Sequence, residues 1–190
     1  MNKYTEIAQQ TRQNLLDAFW ELYCEKRIEK ITVRELTAKA GYSRGTFYEY
    51  FTDVYDVLEQ LEQSLLPKVE DIPQLMPEDG RDESPADAFM KLYSESSAYY
   101  SVLLGDKGDP AFATKMKNGI KERLLTQLGE ETKATREFDY ELEYMLSAMI
   151  GILTYWFGQG EDISKEELVQ MIHELMDSER LRNLALKLGM

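Results

Sequence analysis

Between Thr32 and Phe51 the chain reads TVRELTAKAGYSRGTFYEYF, and its second half carries polar and aromatic side chains where a core helix would carry aliphatics. Arg44, Thr46, Tyr48 and Tyr50 are left facing outward or along a rim once Phe47 and Phe51, four apart, turn inward together. Two short helices with the outer face of the second free to donate hydrogen bonds have the form of a helix-turn-helix, which sets that helix in the DNA major groove. Catalytic groupings are missing by comparison. The single histidine, His173, and the single cysteine, Cys24, cannot build a thiolate–imidazole metal site from one chain. Glu130–Glu131 and Glu166–Glu167 are neighbours at helix ends or starts and read as solvated charges, and GDKGDP lacks the spacing of a phosphate loop. The expectation is therefore no enzyme, no metal and no cofactor.

The elements that must position this segment are legible. Thr32 and Glu35 have the T-x-x-E spacing of a capping box, in which each side chain satisfies an orphan N–H of the first turn. Val33, Leu36 and Ala40 make a narrow apolar stripe, and Gly41 stops the helix where a positive φ is needed. Tyr42 links, and Ser43 is a good N-cap for the next helix. Gly45 is the odd residue, since glycine inside a helix costs roughly 1 kcal/mol relative to alanine. Either the missing side chain lets the helix start approach a phosphate, or it relieves crowding against a neighbouring helix.

The pattern G-x-S-x-G-T-x-Y-x-x-F, here Gly41, Ser43, Gly45, Thr46, Tyr48 and Phe51, resembles the recognition segment of the TetR family of bacterial transcription regulators. The N-terminal stretch TRQNLLDAFWELYCEKR, with Leu15, Leu16, Phe19, Leu22 and Tyr23 on one face, fits as well. The resemblance covers about the first sixty residues and implies roles by position. Arg44 and Thr46 would begin the groove-facing helix, Arg44 being suited to a bidentate guanine contact. Tyr48 and Thr32 would donate to phosphates, contacts that position without reading sequence. Ser43, Gly45 and Tyr50 complete the expected DNA-binding set. Tyr50 stands where the family usually has histidine and Val54 where it usually has lysine, with Asp53 beside it adding repulsion toward a phosphate.

Composition sets bounds. The chain has 190 residues, is 43% hydrophobic and 30% charged, and suits one or two small domains. One cysteine excludes an internal disulfide framework and fits a reducing cytoplasm, and the position of Cys24 in the first helix predicts a buried structural thiol. No basic-then-apolar leader opens the chain, and the mostly apolar run from Met145 to Phe157 is 13 residues, too short to cross a bilayer. The net charge of −13 is unevenly spread. Residues 1–51 hold eight Lys/Arg and seven Asp/Glu, a net of +1, so the other 139 residues carry −14. Phosphate attraction acts within about a Debye length, so an acidic body can coexist with a near-neutral DNA face. Its ordinary role is solubility.

The expected fold is all-α, in three parts. Residues 1–66 form the helix-turn-helix domain with a fourth helix from about Asp53 to Leu66, and residues 67–84 a proline-rich connection. Residues 85–190 form a helical effector-binding and dimerisation domain. Four of the five prolines, Pro67, Pro73, Pro77 and Pro85, fall at that junction. Helices are predicted from Ser84-Pro85 toward Ser97, over Ala98–Leu104, from Asp109-Pro110 to about Leu128, from Arg136 to Gly158, and after the capping box of Ser164 and Glu167. In the Arg136–Gly158 helix, Phe138, Leu142, Met145, Met149, Ile152 and Trp156 lie on one face, and Tyr144, Ala148, Gly151 and Tyr155 form a second, smaller-sided one. Two apolar faces suggest burial on both sides, so this helix and the next are read as half of a four-helix dimer interface. The resemblance also implies a two-fold dimer.

Aromatics and methionines in this half could line an apolar pocket, with Tyr93, Tyr100, Phe112, Met116, Tyr140 and Met145 as candidates, although most such residues must be core. YYSVLLGDKGDPAF resembles a subgroup of TetR C-terminal domains that includes an activator of dihydroxyacetone kinase genes. The leading reading is a homodimeric regulator binding a palindromic operator in double-stranded DNA, with no membrane contact, under the control of an unidentified small-molecule effector. The alternatives are a DNA-binding protein with no effector and an interaction protein that has kept the fold but lost DNA binding.

Overall fold

The structure, a computed structural model, describes residues 3–66, 96–105, 108–127 and 136–176. Every regular element among them is helical: α1 (Lys3–Glu25), a 3-10 turn (Ile28–Lys30), α2 (Val33–Ala40), α3 (Arg44–Tyr48), α4 (Val54–Leu65), α5 (Ser97–Leu103), α6 (Phe112–Gln127), α7 (Arg136–Gly158) and α8 (Lys165–Met176). The chain divides into two compact units, Met1–Leu65 and Leu66–Met190. The expected proline-rich connection and the helix opening at Ser84 lie outside the described residues.

In the first unit α1 buries Leu15, Leu16, Phe19, Leu22 and Tyr23, the face read from the sequence. Ile31, Leu36, Phe47, Phe51, Val54, Val57, Leu58 and Leu61 complete the core. Burying an apolar side chain of this size stabilises by about 1.5–3 kcal/mol, so the small helices are held by burial more than by their own hydrogen bonds. Cys24 is exposed, contrary to the expected buried thiol. It stands one helical step past Tyr23, about 100° round from the apolar arc. The buried stripe of α2 is Leu36 with Thr37, while Val33 and Ala40 are half-buried.

The caps follow the sequence signals with one change. Thr32 Oγ1 accepts the N–H of Glu35 at 3.2 Å. The reciprocal half of that capping box is not made, because both carboxylate oxygens of Glu35 take the ammonium of Lys26 at 2.5 and 2.6 Å. A charge-assisted bond of this kind outcompetes a neutral N–H donor. Gly41 ends α2 at φ 76°, ψ 25°. Its turn is closed by the N–H of Tyr42 donating to Thr37 O at 2.9 Å.

Asp53 caps α4, its Oδ1 accepting the N–H groups of Tyr55 and Asp56 at 2.8 and 2.9 Å. Asp56 reaches back to accept the N–H of Thr52 at 2.7 Å and takes the amide of Gln60 at 3.0 Å. Gln60 in turn accepts from Arg12 of α1 at 2.6 Å and donates to Tyr50 O at 3.5 Å. The Arg12 guanidinium also lies 5.7 Å from the centre of the Phe51 ring. This chain of contacts joins α1, the end of α3 and the start of α4.

In the second unit Tyr100, Leu103, Leu104, Phe112, Met116, Ile120 and Leu124 are buried, and the rings of Tyr100 and Phe112 lie 6.1 Å apart. Asp109 starts α6, its Oδ1 accepting the N–H of Ala111 at 2.8 Å. On the rim between α6 and α7, Glu143 pairs with Lys117 and, at 3.4 Å, with Lys121. Helix α7 runs over the predicted residues, but it buries one broad arc rather than two faces. Leu146, Ile150, Leu153 and Phe157 join Phe138, Leu142, Met145, Met149 and Trp156 inside, and Ile152 is only half-buried. On the predicted second face Tyr144, Gly151 and Tyr155 are exposed and Ala148 is half-buried in the single subunit. Ser164 and Glu167 make both halves of their capping box, at 2.9 and 3.2 Å. The Trp156 indole N–H bonds to Ile163 O at 2.9 Å.

The N–H of Thr52, then the amide of Gln60 and the nearby charge of Arg12, hold the Asp56 carboxyl below its ordinary value of 3.8. A carboxyl whose pKa falls on folding contributes stability that is complete above its unfolded value and lost as pH drops through the folded one. Asp56→Asn is expected to lower stability in urea titrations at neutral pH and to cost less at about pH 3. An equal loss at both would refute the coupling.

Candidate nucleic-acid interface

Helix α3 has five residues, and its setting comes from its neighbours. Ser43 caps it, Oγ accepting the N–H of Thr46 at 3.1 Å and lying 3.0 Å from Thr46 Oγ1. Phe47 is 0% exposed and packs 5.5 Å from the Phe51 ring. Tyr42, in the turn before it, is fixed by the Asn14 amide donating to its hydroxyl at 2.8 Å. With one face buried in this way, Ser43, Arg44, Gly45 and Tyr48 are exposed and Thr46 and Tyr50 half-buried. The Tyr48 ring stands edge-on to Phe47, 5.4 Å away, and is 59% exposed.

Arg44 takes no hydrogen bond or ion pair among the described residues. Its five donors are therefore unspent. Thr32 is exposed at the start of α2, and its oxygen is an acceptor in the cap, which leaves the hydroxyl proton to donate elsewhere. A Cβ added at Gly45 would meet nothing closer than Ser43 Oγ at 3.5 Å, an ordinary contact. Crowding inside the chain does not explain this glycine. The space above it is open.

The two departures at the start of α4 have structural uses. Val54 is buried and Asp53 is the helix cap, so both serve the fold. Tyr50 packs 6.4 Å from the Phe51 ring, half-covered. Tyr55 was not anticipated: it is 53% exposed in the first turn of α4. The signal for it was present, since Tyr55 lies out of phase with Val54, Val57, Leu58 and Leu61. Asn14, Asp56 and Gln60 were also missed as positioning residues, because their partners lie elsewhere in the chain.

Among the candidates for an effector pocket, Tyr100, Phe112, Met116 and Met145 are buried in the second unit. Tyr93 lies outside the described residues. Tyr140 is 67% exposed, so it does not join that buried group; it stands four residues before Tyr144 on the open side of α7. Of the proposed dimer residues, Tyr144 and Tyr155 are 64% and 69% exposed, Gly151 is exposed and Ala148 half-buried.

Residues 15–61 match the family model for bacterial regulatory proteins of the tetR family, and residues 83–178 match the corresponding transcriptional regulator C-terminal region. The chain belongs to the TetR family. It is a DNA-binding transcriptional regulator of that family, not an enzyme. An uncharacterized HTH-type transcriptional regulator of Haemophilus influenzae is 27% identical over 179 residues, covering 86% of this chain and 83% of its own. The fold matches a TetR transcriptional regulator from Streptococcus agalactiae with a TM-score of 0.60 at 22% identity, over 90% of this chain and 96% of that one. It also matches the dihydroxyacetone kinase operon activator DhaS with a TM-score of 0.57 at 18% identity, over 93% and 97%. No described helix is long and apolar enough to cross a membrane.

Gly45→Ala separates the two uses of a helical glycine. With open space above it, the alanine is expected to leave the free protein as stable or more so, by up to about 1 kcal/mol, while weakening DNA binding. Thermal unfolding and a DNA titration on the same variant check it; a destabilised free protein would restore the crowding explanation.

Proposed function

We propose that this TetR-family regulator works in the cytoplasm as a homodimer on a palindromic operator, with α3 of each subunit in the major groove of double-stranded DNA. The observation that carries this is the exposed face of α3: an unpartnered Arg44 beside an open Gly45, on a helix fixed by a fully buried Phe47. In this reading Arg44 addresses a guanine edge and Thr46 an adjoining base. Gly45 allows the DNA backbone to come close. Thr32 and Tyr48 donate their hydroxyls to phosphates, Ser43 keeps the helix start in place, and Tyr50 lines the rim.

The partner copy is assigned to the open side of α7. Tyr144, Gly151 and Tyr155 follow one another at seven and four residues there with Ala148 beside them, a stripe of two large rings and small residues that a helix of a second copy would cover. The second unit is assigned a small-molecule effector between its helices, bordered by Tyr100, Phe112, Met116 and Met145. Such a ligand controls DNA binding only if it prefers one of two spacings of the recognition helices. Half-sites one turn apart, about 34–36 Å, make that spacing matter.

Arg44→Ala is expected to cost roughly 1–3 kcal/mol in operator affinity and to relax specificity at one base position. Binding measured across single-base operator variants checks it; a uniform loss at every position would make Arg44 a phosphate contact instead. A Cβ added at Gly151 meets nothing within 4 Å, and the residue is exposed, so Gly151→Leu should leave the subunit folded and sedimenting as a monomer. Survival of the dimer would remove that face from the interface.

A further inference from the structure

We propose that Arg27, Lys30 and Arg34, in the segment that leads into the reading head, anchor the DNA phosphate backbone and supply much of the salt-sensitive part of binding. The inference deepens the DNA-binding reading and rests on it. The first 51 residues carry eight cations, and the structure divides seven of them by use. Arg12 is bound to Gln60, Lys26 to Glu35, and Lys39 to Glu21 at 2.7 Å. Arg27, Lys30, Arg34 and Arg44 are exposed and take no hydrogen bond or ion pair from their side chains among the described residues. All four fall within residues 27–44, the segment that holds the turn, α2 and the start of α3.

Local geometry presents the first three rigidly. The 3-10 turn is closed by the N–H of Lys30 donating to Arg27 O at 3.0 Å and that of Ile31 to Ile28 O at 2.9 Å. Ile31, 4% exposed, pins the turn to the core. Arg27 is the N-cap of this turn and Lys30 its last residue. Arg34 follows in the first turn of α2, two residues from the exposed Thr32, and is itself exposed. Glu29 is exposed there and pairs with none of them. Three like charges thus fall within residues 27–34 with no carboxylate in ion-pair contact among the described residues, in a chain with 35 acidic residues. A polyanion running past Thr32 supplies the missing counter-charge. Lys26 is different, because Glu35 already neutralises it through both oxygens.

The test uses the full chain and a generic duplex of about 30 bp, since phosphate contacts do not need the operator. The slope of log affinity against log salt is measured for the parent and for Arg27→Gln, Lys30→Gln, Arg34→Gln and Lys26→Gln, with circular dichroism to verify folding. Each of the first three is expected to flatten the slope by about one per subunit, and Lys26→Gln to leave it nearly unchanged. Lys30→Arg and Arg34→Lys, which keep the charge, should keep the slope, and a purely structural role would not follow that pattern. Unchanged slopes for the three glutamine variants, or an equal drop for Lys26→Gln, overturn the proposal while leaving DNA binding in place. A parent protein with no salt-dependent binding would instead overturn the DNA-binding reading beneath it.

Discussion

A helix of five residues has no stability of its own, because the cost of fixing its first turn is repaid only over about a dozen residues or more. Everything that α3 can do on DNA therefore depends on the burial of Phe47. That ring is fully covered, sits against Phe51, and turns the rest of the helix outward. The contacts around it act as braces from three directions. Asn14 holds the turn before α3 through Tyr42, Arg12 covers Phe51, and Gln60 reaches the carbonyl of Tyr50 behind it. Positioning to within an ångström is what separates a base contact from a miss, and short polar side chains on a braced helix achieve it more reliably than long ones on a free loop.

The two glycines of the reading head answer different constraints. Gly41 sits at φ 76° with nothing near its missing Cβ, so only its backbone angle requires glycine. Gly45 lies within α3 with open space above it, so neither its backbone angle nor crowding within the described residues requires glycine. Charge is divided by a similar logic. Arg12, Lys26 and Lys39 are taken up by partners within the fold. Arg27, Lys30, Arg34 and Arg44 have none among the described residues and fall in the segment that also holds Thr32. The other 139 residues carry −14, and attraction between exposed charges decays within about 10 Å at ordinary salt.

How much of this was legible in the sequence depends on the range of the interaction. Caps and stops are local signals, and Thr32, Gly41, Ser43, Asp109 and Ser164 all act where their types and neighbours indicate. Helix faces were legible to within one step. The arc on α7 took in Leu146, Ile150 and Leu153 and left Ile152 half-out, and Cys24 fell just past the buried edge of α1. A 100° step per residue makes such boundary positions ambiguous without knowing how wide the partner surface is. Pairings across the chain were not legible at all. Arg12 meets Gln60 across 48 residues, and Glu35 leaves its capping box for Lys26 because the end of α1 brings an ammonium within reach. Nothing in local periodicity encodes those meetings.

One reading head per molecule would not suffice for a regulator built this way. Each good bidentate base contact discriminates by about 1–3 kcal/mol, and α3 offers a single arginine for that purpose. Competing sites in a genome number about a million or more, and outcompeting them needs about 8 kcal/mol, since a factor of ten is about 1.4 kcal/mol. Two copies placed on a two-fold site double the base-reading energy, and phosphate anchors add affinity without adding discrimination. The exposed tyrosines of α7 bear on the same shortfall from the other unit. Such a stripe is explained if the working form is the pair, in which one surface is covered and two heads read together.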